Sequence, residues 1–237
     1  TKAKALFFGI DGLVSNINQI RYTVWQRALQ GYGYNLTFHE YLQLFLFENP
    51  LSVLIPLLPY NTSDEHQAVM SKREDYLVEL LSSLNALQLH LCIGIHSFIQ
   101  QVKSEDEQVK IVAVSDLSIR ETTQLLETLN LHMMFDCVIS SYGLEKCKPS
   151  AIVYKVALEK LNLGSEDVFV FEGTQEGVIS AHSAGLKVVG IKPNLPESQE
   201  DAAEKQRSEI AMIMMNEHAL LVVDNLDSFK LEYLEHF

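Results

Sequence analysis

The chain is short of the residues that mark secreted, nucleic-acid-binding and membrane-spanning proteins. Its 3 cysteines, Cys92, Cys137 and Cys147, lie in unrelated segments, with no Cys-x-x-Cys pair and no Cys/His spacing suited to zinc. That argues against a disulfide framework or a zinc centre and for reduced thiols in a cytoplasmic protein. Basic residues are also scarce: 18 Lys and Arg stand against 31 Asp and Glu, a net charge of −13, and no Lys/Arg run occurs. A nucleic-acid backbone requires basic patches, so a small ligand or a protein is the expected partner. No window holds the ~20 uninterrupted apolar residues of a membrane span. The longest apolar stretch, residues 51–60, is short and broken by Pro56 and Pro59. The first residues run directly into a strand-like segment without the features of a secretory signal, so the cytoplasm is the expected location.

What is present is an ordinary globular composition, 47% hydrophobic and 21% charged over 237 residues, enough for a core domain with a smaller insertion. Short apolar, β-branched runs at residues 5–10, 109–115, 135–141, 168–172, 187–192 and 219–224 alternate with helical periods. Such continuous apolar strands, separated by helices, predict a doubly wound α/β fold with a parallel sheet covered on both faces. The capping box Ser118–Glu121 opens one helix, Pro149 is placed in the first turn of another, and Gly185 closes a third. Residues 16–88 hold no convincing strand. They include a helix from about Tyr22 to Leu29 and a long one after the capping box Thr62–Glu65, whose stripe of Val69, Tyr76, Leu80, Leu84 and Leu87 is expected to face a core. The predicted organisation is a core of residues 1–15 and 89–237 with residues 16–88 as a helical cap. The acidic residues between Glu197 and Glu209 are expected to be the solvated face of a helix packed on the sheet.

In open parallel sheets the ligand crevice lies beyond the carboxyl ends of the strands. Four segments fall there: Gly9-Ile10-Asp11-Gly12-Leu13, Ser115, Lys148-Pro149, and Glu172-Gly173-Thr174-Gln175-Glu176-Gly177. In this order, around a helical insertion, they resemble the four motifs of the haloacid dehalogenase superfamily. The likeness is to the helical-cap branch containing β-phosphoglucomutase-like and phosphoglycolate-phosphatase-like enzymes, and it extends over essentially the whole chain. The resemblance implies a Rossmann-like core, phosphoryl chemistry on small metabolites, and a magnesium cofactor. It also implies roles: a first aspartate as nucleophile, a second as general acid and base at Asp11, phosphate contacts at Gly12, Ser115 and Lys148, and metal-binding acids in the last motif at Glu172 and the residue after it. Two of those positions depart from the pattern. The nucleophile's place is taken by Gly9 and one metal-binding acid's by Gly173.

Glycine has no side chain with which to form a phosphoryl-enzyme bond or to hold magnesium. Loss of one member of a concerted catalytic set costs on the order of 10⁴ to 10⁶ in rate, or roughly 5 to 8 kcal/mol of barrier. The expectation is therefore a phosphatase-like protein, inactive or very weak as a hydrolase, that needs no cofactor and binds a phosphorylated or other anionic small molecule, or a protein partner, in the inherited cleft. Ser115, Lys148 and the main-chain N–H groups around Asp11 and Gly12 would form its anion cradle. Glu172 without a metal has a plainer role as a strand-end acid bonded to Lys148 or Ser115. Two alternatives stay open: a working magnesium-dependent phosphatase or phosphomutase with a substitute nucleophile, and a structural or interaction protein with a vestigial cleft. Restoring both acids, Gly9→Asp with Gly173→Asp, should create hydrolysis if the pocket is otherwise intact.

Overall fold

The apolar runs become six strands, β1 Ala5–Gly9, β2 Lys110–Ser115, β3 Cys137–Ser140, β4 Val168–Glu172, β5 Lys187–Ile191 and β6 Leu221–Val223. The structure, a computed structural model, describes residues 3–46, 48–195 and 200–236. The strands form one parallel sheet in the order β3-β2-β1-β4-β5-β6. β1 is central and wholly buried, and its alternate side chains go to opposite faces. Leu6 and Phe8 join one apolar cluster with Ile111, Ala113, Phe169 and Phe171, while Ala5 and Phe7 join another with Val112, Val114, Val168 and Val170. Burial on both faces is what dictates continuous apolar strands instead of polar alternation. Each fully buried aliphatic or aromatic side chain contributes about 1.5–3 kcal/mol.

Helices α1 Ile17–Gln30, α2 Phe38–Leu44, α3 Pro50–Leu57 and α4 Ser63–Ser82 fill the segment between β1 and the return of the chain to the sheet. They share an apolar centre of their own, in which Trp25 and Phe45 lie with ring centroids 4.4 Å apart and Tyr41, Leu54 and Val69 are fully buried. The two chain segments leading into and out of this insertion lie side by side. Val14 and Leu91 form an antiparallel bridge, and the Cys92 N–H donates to the Leu13 carbonyl at 2.8 Å. After it come α5 Ile95–Glu105, α6 Ile119–Thr128, α7 Ile152–Leu161, α8 Gln175–Ser183, α9 Glu200–Asn216 and the short α10 Tyr233–His236.

Both predicted capping boxes form, at Thr62–Glu65 and Ser118–Glu121. The stripe on α4 needs correction: its buried residues are His66, Val69, Met70, Arg73, Leu77 and Leu81, with Tyr76, Leu80 and Leu84 only partly covered and Leu87 89% exposed. The helix stops at Ser82, so Leu84 and Leu87 no longer follow its 3.6-residue period. Pro149 likewise is not in a first turn, because α7 starts only at Ile152, with Ala151 as its cap. The acidic segment largely falls on α9, where Glu204 and Glu209 are exposed while Ala203 and Met214 pack inward; Glu197 lies outside the described residues. Among the described residues, no helix is long and apolar enough to cross a membrane.

Candidate active site

The chain leaves β1 to build β2 and β3 on one side, then crosses back to build β4, β5 and β6 on the other. That reversal opens a crevice at the carboxyl ends of β1, β2 and β4. Asp11, Gly12, Ser115, Lys148, Glu172 and Gly173 meet there.

β1 ends at Gly9 and passes into a tight turn of 3-10 helix, Ile10–Leu13, which carries Asp11. The Asp11 carboxylate turns toward the end of β2. Its Oδ1 accepts from the Ser115 hydroxyl at 2.6 Å and its Oδ2 from the Asp116 N–H at 2.6 Å. Ser115 Oγ in turn accepts from the Leu117 N–H at 3.0 Å, which fixes the direction of its own proton. Asp116, which the sequence reading passed over, accepts from the Ser141 hydroxyl and lines the crevice. Burial raises its pKa above the usual carboxylate range, with Lys148 pulling the other way and Asp11 adding to the rise.

At the end of β4 the Glu172 carboxylate is fully buried and folds back over β1. A Cβ placed on Gly9 would lie 2.0 Å from the Glu172 carboxylate carbon, and one on Gly177 would lie 2.1 Å from it. The glutamate therefore fills the space that a side chain at position 9 would occupy, and the absence of side chains at positions 9 and 177 is what admits it. Its Oε1 is 2.8 Å from the Lys148 ammonium and accepts a hydrogen bond from the Tyr154 hydroxyl of α7. Burial works against the charge on Lys148, but Glu172, Asp116 and Asp11 outweigh it and hold its pKa above the ordinary lysine value. Burial, then Glu172, pushes Tyr154 well above the normal phenol range, so it stays a donor.

Gly173 is held even more tightly. A Cβ there would lie 1.9 Å from the Gly12 carbonyl oxygen, a main-chain atom that no side-chain rotation can move aside. The pocket is thus not otherwise intact, and the simple restoration of two acids expected from sequence meets a steric bar at Gly173 and an occupied space at Gly9. Magnesium fits these residues poorly for the same reason: it prefers near-octahedral oxygen ligation, and the carboxylate of Glu172 already carries an ammonium and a phenol. Among the described residues, no group of three or more His, Cys, Asp or Glu side chains is arranged to hold a metal.

Beyond Asp11 the crevice opens into a cavity of about 60 Å³ bounded by Asp11, Gly12, Asp116, Lys148, Thr174 and Glu176 from the sheet side and by Ile17, Asn18, Arg21 and Leu46 from the insertion. A water needs about 10–15 Å³, so the space suits a few waters or one phosphate-sized group. Burial raises the Glu176 pKa. Arg21 is a second residue the sequence reading missed, and a signal for it existed. It lies on the α1 stripe whose other members, Ile17, Ile20, Val24, Trp25 and Ala28, are buried, so it interrupts an apolar face with a charge. Other aromatic and polar residues of the insertion turn elsewhere: Phe45 packs inside it, Tyr22 donates to the Leu36 carbonyl at 3.2 Å, and Asn49 donates to the Leu144 carbonyl at 3.2 Å. Phe47 lies outside the described residues.

Comparison with known proteins agrees with this geometry. The family model described as haloacid dehalogenase-like hydrolase matches residues 6–191. A phosphorylated carbohydrates phosphatase of Thermotoga maritima is 25% identical over 201 residues, 83% of this chain and 88% of the relative. Among solved structures, β-phosphoglucomutase from Clostridium difficile superposes with a TM-score of 0.71 at 19% identity, covering 99% of this chain and 96% of that one. CbbY from Rhodobacter sphaeroides in complex with phosphate gives a TM-score of 0.74 at 17% identity, covering 98% of this chain and 99% of that one.

Proposed function

This chain belongs to the haloacid dehalogenase-like hydrolase family, and from that premise we propose that it is a non-hydrolytic member which binds a small phosphorylated or otherwise anionic molecule in the crevice beneath a helical cap, without magnesium. The observation that carries this reading is the filled space at Gly9. Where the family places a nucleophilic carboxylate aimed at phosphorus, this chain has no side chain, and the carboxylate nearest that space is tied to Lys148 and Tyr154. Asp11 is a poor substitute nucleophile, because each of its oxygens already accepts a hydrogen bond from the end of β2. A buried carboxylate so engaged is held in place and made less nucleophilic.

Support for a small phosphorylated ligand comes from the likeness to a phosphorylated carbohydrates phosphatase and to a structure containing phosphate, together with a cavity of suitable size. The test is a screen of phosphorylated sugars and p-nitrophenyl phosphate with magnesium. Rates at the buffer background, unchanged by Asp11→Ala, are expected. Turnover that disappears on that substitution, or a phosphoryl adduct found on the protein by mass spectrometry, would overturn the reading.

A further inference from the structure

If the crevice binds an anion, as proposed above, the anion needs a cation free to receive it. At the sheet end the charge of the cation is already balanced: Lys148 is ion-paired with Glu172 at 2.8 Å, and its Nζ, though it makes no well-aligned hydrogen bond, is sealed from solvent. Three neutral donors there are used as well. The Ser115 hydroxyl and the Asp116 N–H both donate to Asp11, and the Leu117 N–H donates to Ser115. The same end carries the carboxylates of Asp11, Asp116 and Glu172, with Glu176 on the cavity wall, so its field opposes a second negative charge.

The opposite wall differs. Arg21, on α1 of the insertion, borders both this cavity and a smaller neighbouring one of about 20 Å³ that also touches Asp116. Its Nε is shut off from solvent and has no hydrogen-bond partner. Among the described residues the guanidinium makes neither a hydrogen bond nor an ion pair. Burial works against its charge, but the groups facing it, Tyr41 first and then Asp11, Asp116 and Glu121, keep it protonated. A planar guanidinium with unsatisfied donors is suited to grip an oxyanion through two parallel hydrogen bonds. Leaving it unpaired in a partly closed site lowers stability, a cost that ligand-binding sites often carry.

We propose that Arg21 is the anion-binding residue of this crevice. It holds the phosphate group of a small ligand on the insertion side, while hydroxyl or amine groups at the ligand's other end donate to Asp11, Asp116 and Glu176. The crevice then binds its ligand in the sense opposite to one in which the phosphate lies against Ser115 and Lys148. This placement rests on the anion-binding reading and refines it, since it names the ligand class as a phosphate joined to a polar, hydrogen-donating body.

The experiment is a titration of the full chain with inorganic phosphate, followed by thermal shift and by ³¹P line width, for the unmodified protein, Arg21→Gln, Arg21→Lys and Ser115→Ala. Arg21→Gln is expected to weaken phosphate binding at least about tenfold, which corresponds to about 1.4 kcal/mol. Its ligand-free melting temperature should be equal to or above that of the unmodified protein, which separates a binding role from a structural one. Arg21→Lys, keeping the charge but not the fork, should retain part of the affinity. Affinity that survives Arg21→Gln and is lost in Ser115→Ala would overturn the placement and leave anion binding standing. No phosphate binding by the unmodified protein would overturn both.

Discussion

At the scale of single residues, the behaviour of this site turns on what a missing side chain allows. Gly9 is not a neutral vacancy, because the Glu172 carboxylate lies where its Cβ would be. Gly9→Ala is therefore expected to destabilise the fold by about 1–3 kcal/mol, the usual cost of forcing extra volume into a packed interior. Glu172 is the far end of a jointed side chain, so shortening it should relieve the clash. In urea denaturation the double variant Gly9→Ala with Glu172→Asp should lose less stability than the sum of the two single variants. Additive losses would mean that the two positions do not share this space. Gly173 offers no such relief, since its obstacle is the main-chain carbonyl of Gly12. The identities of Asp11, Ser115 and Glu172 as strand-end residues were legible in sequence, because apolar runs stop where they begin, and Lys148 was legible from the proline that follows it ahead of a helix. Their pairing was not legible. Which of two donors Glu172 would choose, and that Ser115 would serve Asp11, depend on side-chain directions that only the packed strands define.

At the scale of elements, the insertion is fastened to the sheet domain by α4 and α6. Arg73 of α4 forms a buried ion pair with Glu121 of α6, and the guanidinium also lies 5.3 Å from the Trp25 ring centroid and 5.7 Å from that of Tyr142. Glu121 is itself the third residue of the α6 capping box, accepting from the Ser118 N–H at 2.8 Å. A second contact joins the Ser118 hydroxyl to Glu74, and an exposed one joins Arg120 to Asp75. Only the buried pair has large energetic weight, since exposed pairs contribute about 0–1 kcal/mol. Arg73→Met should cost about 3–5 kcal/mol by stranding a buried carboxylate. Faster amide exchange should follow at α4 and at the start of α6, with the interior of β1 and β4 less affected. Unchanged exchange in α4 would show that apolar packing alone holds the two parts together. Sequence announced the capping boxes at Thr62 and Ser118, since Ser/Thr and Glu three residues apart act locally. It did not announce the clasp, whose two halves are 48 positions apart in the chain.

At the scale of the whole molecule, charge and topology make separate demands. With 18 basic against 31 acidic side chains the folded chain repels itself. Raising salt from about 10 to about 200 mM, which shortens the screening length to roughly 7–8 Å, should raise the melting temperature at neutral pH. A fall instead would mean that exposed pairs such as Arg27–Glu79 and Lys4–Asp167 outweigh the net repulsion. The sequence by itself determined the parallel α/β architecture and its helical insertion, because strand burial and helix periodicity are written in local apolar patterns. It also determined that position 9 carries no nucleophile, since that is a matter of covalent composition. Only the tertiary structure decided what occupies that place, which crevice cation lacks an ion pair among the described residues and where the insertion is anchored. Each of those depends on residues remote in the chain competing for the same few ångströms of buried space, a competition settled by packing and by the cost of leaving a charge unpaired.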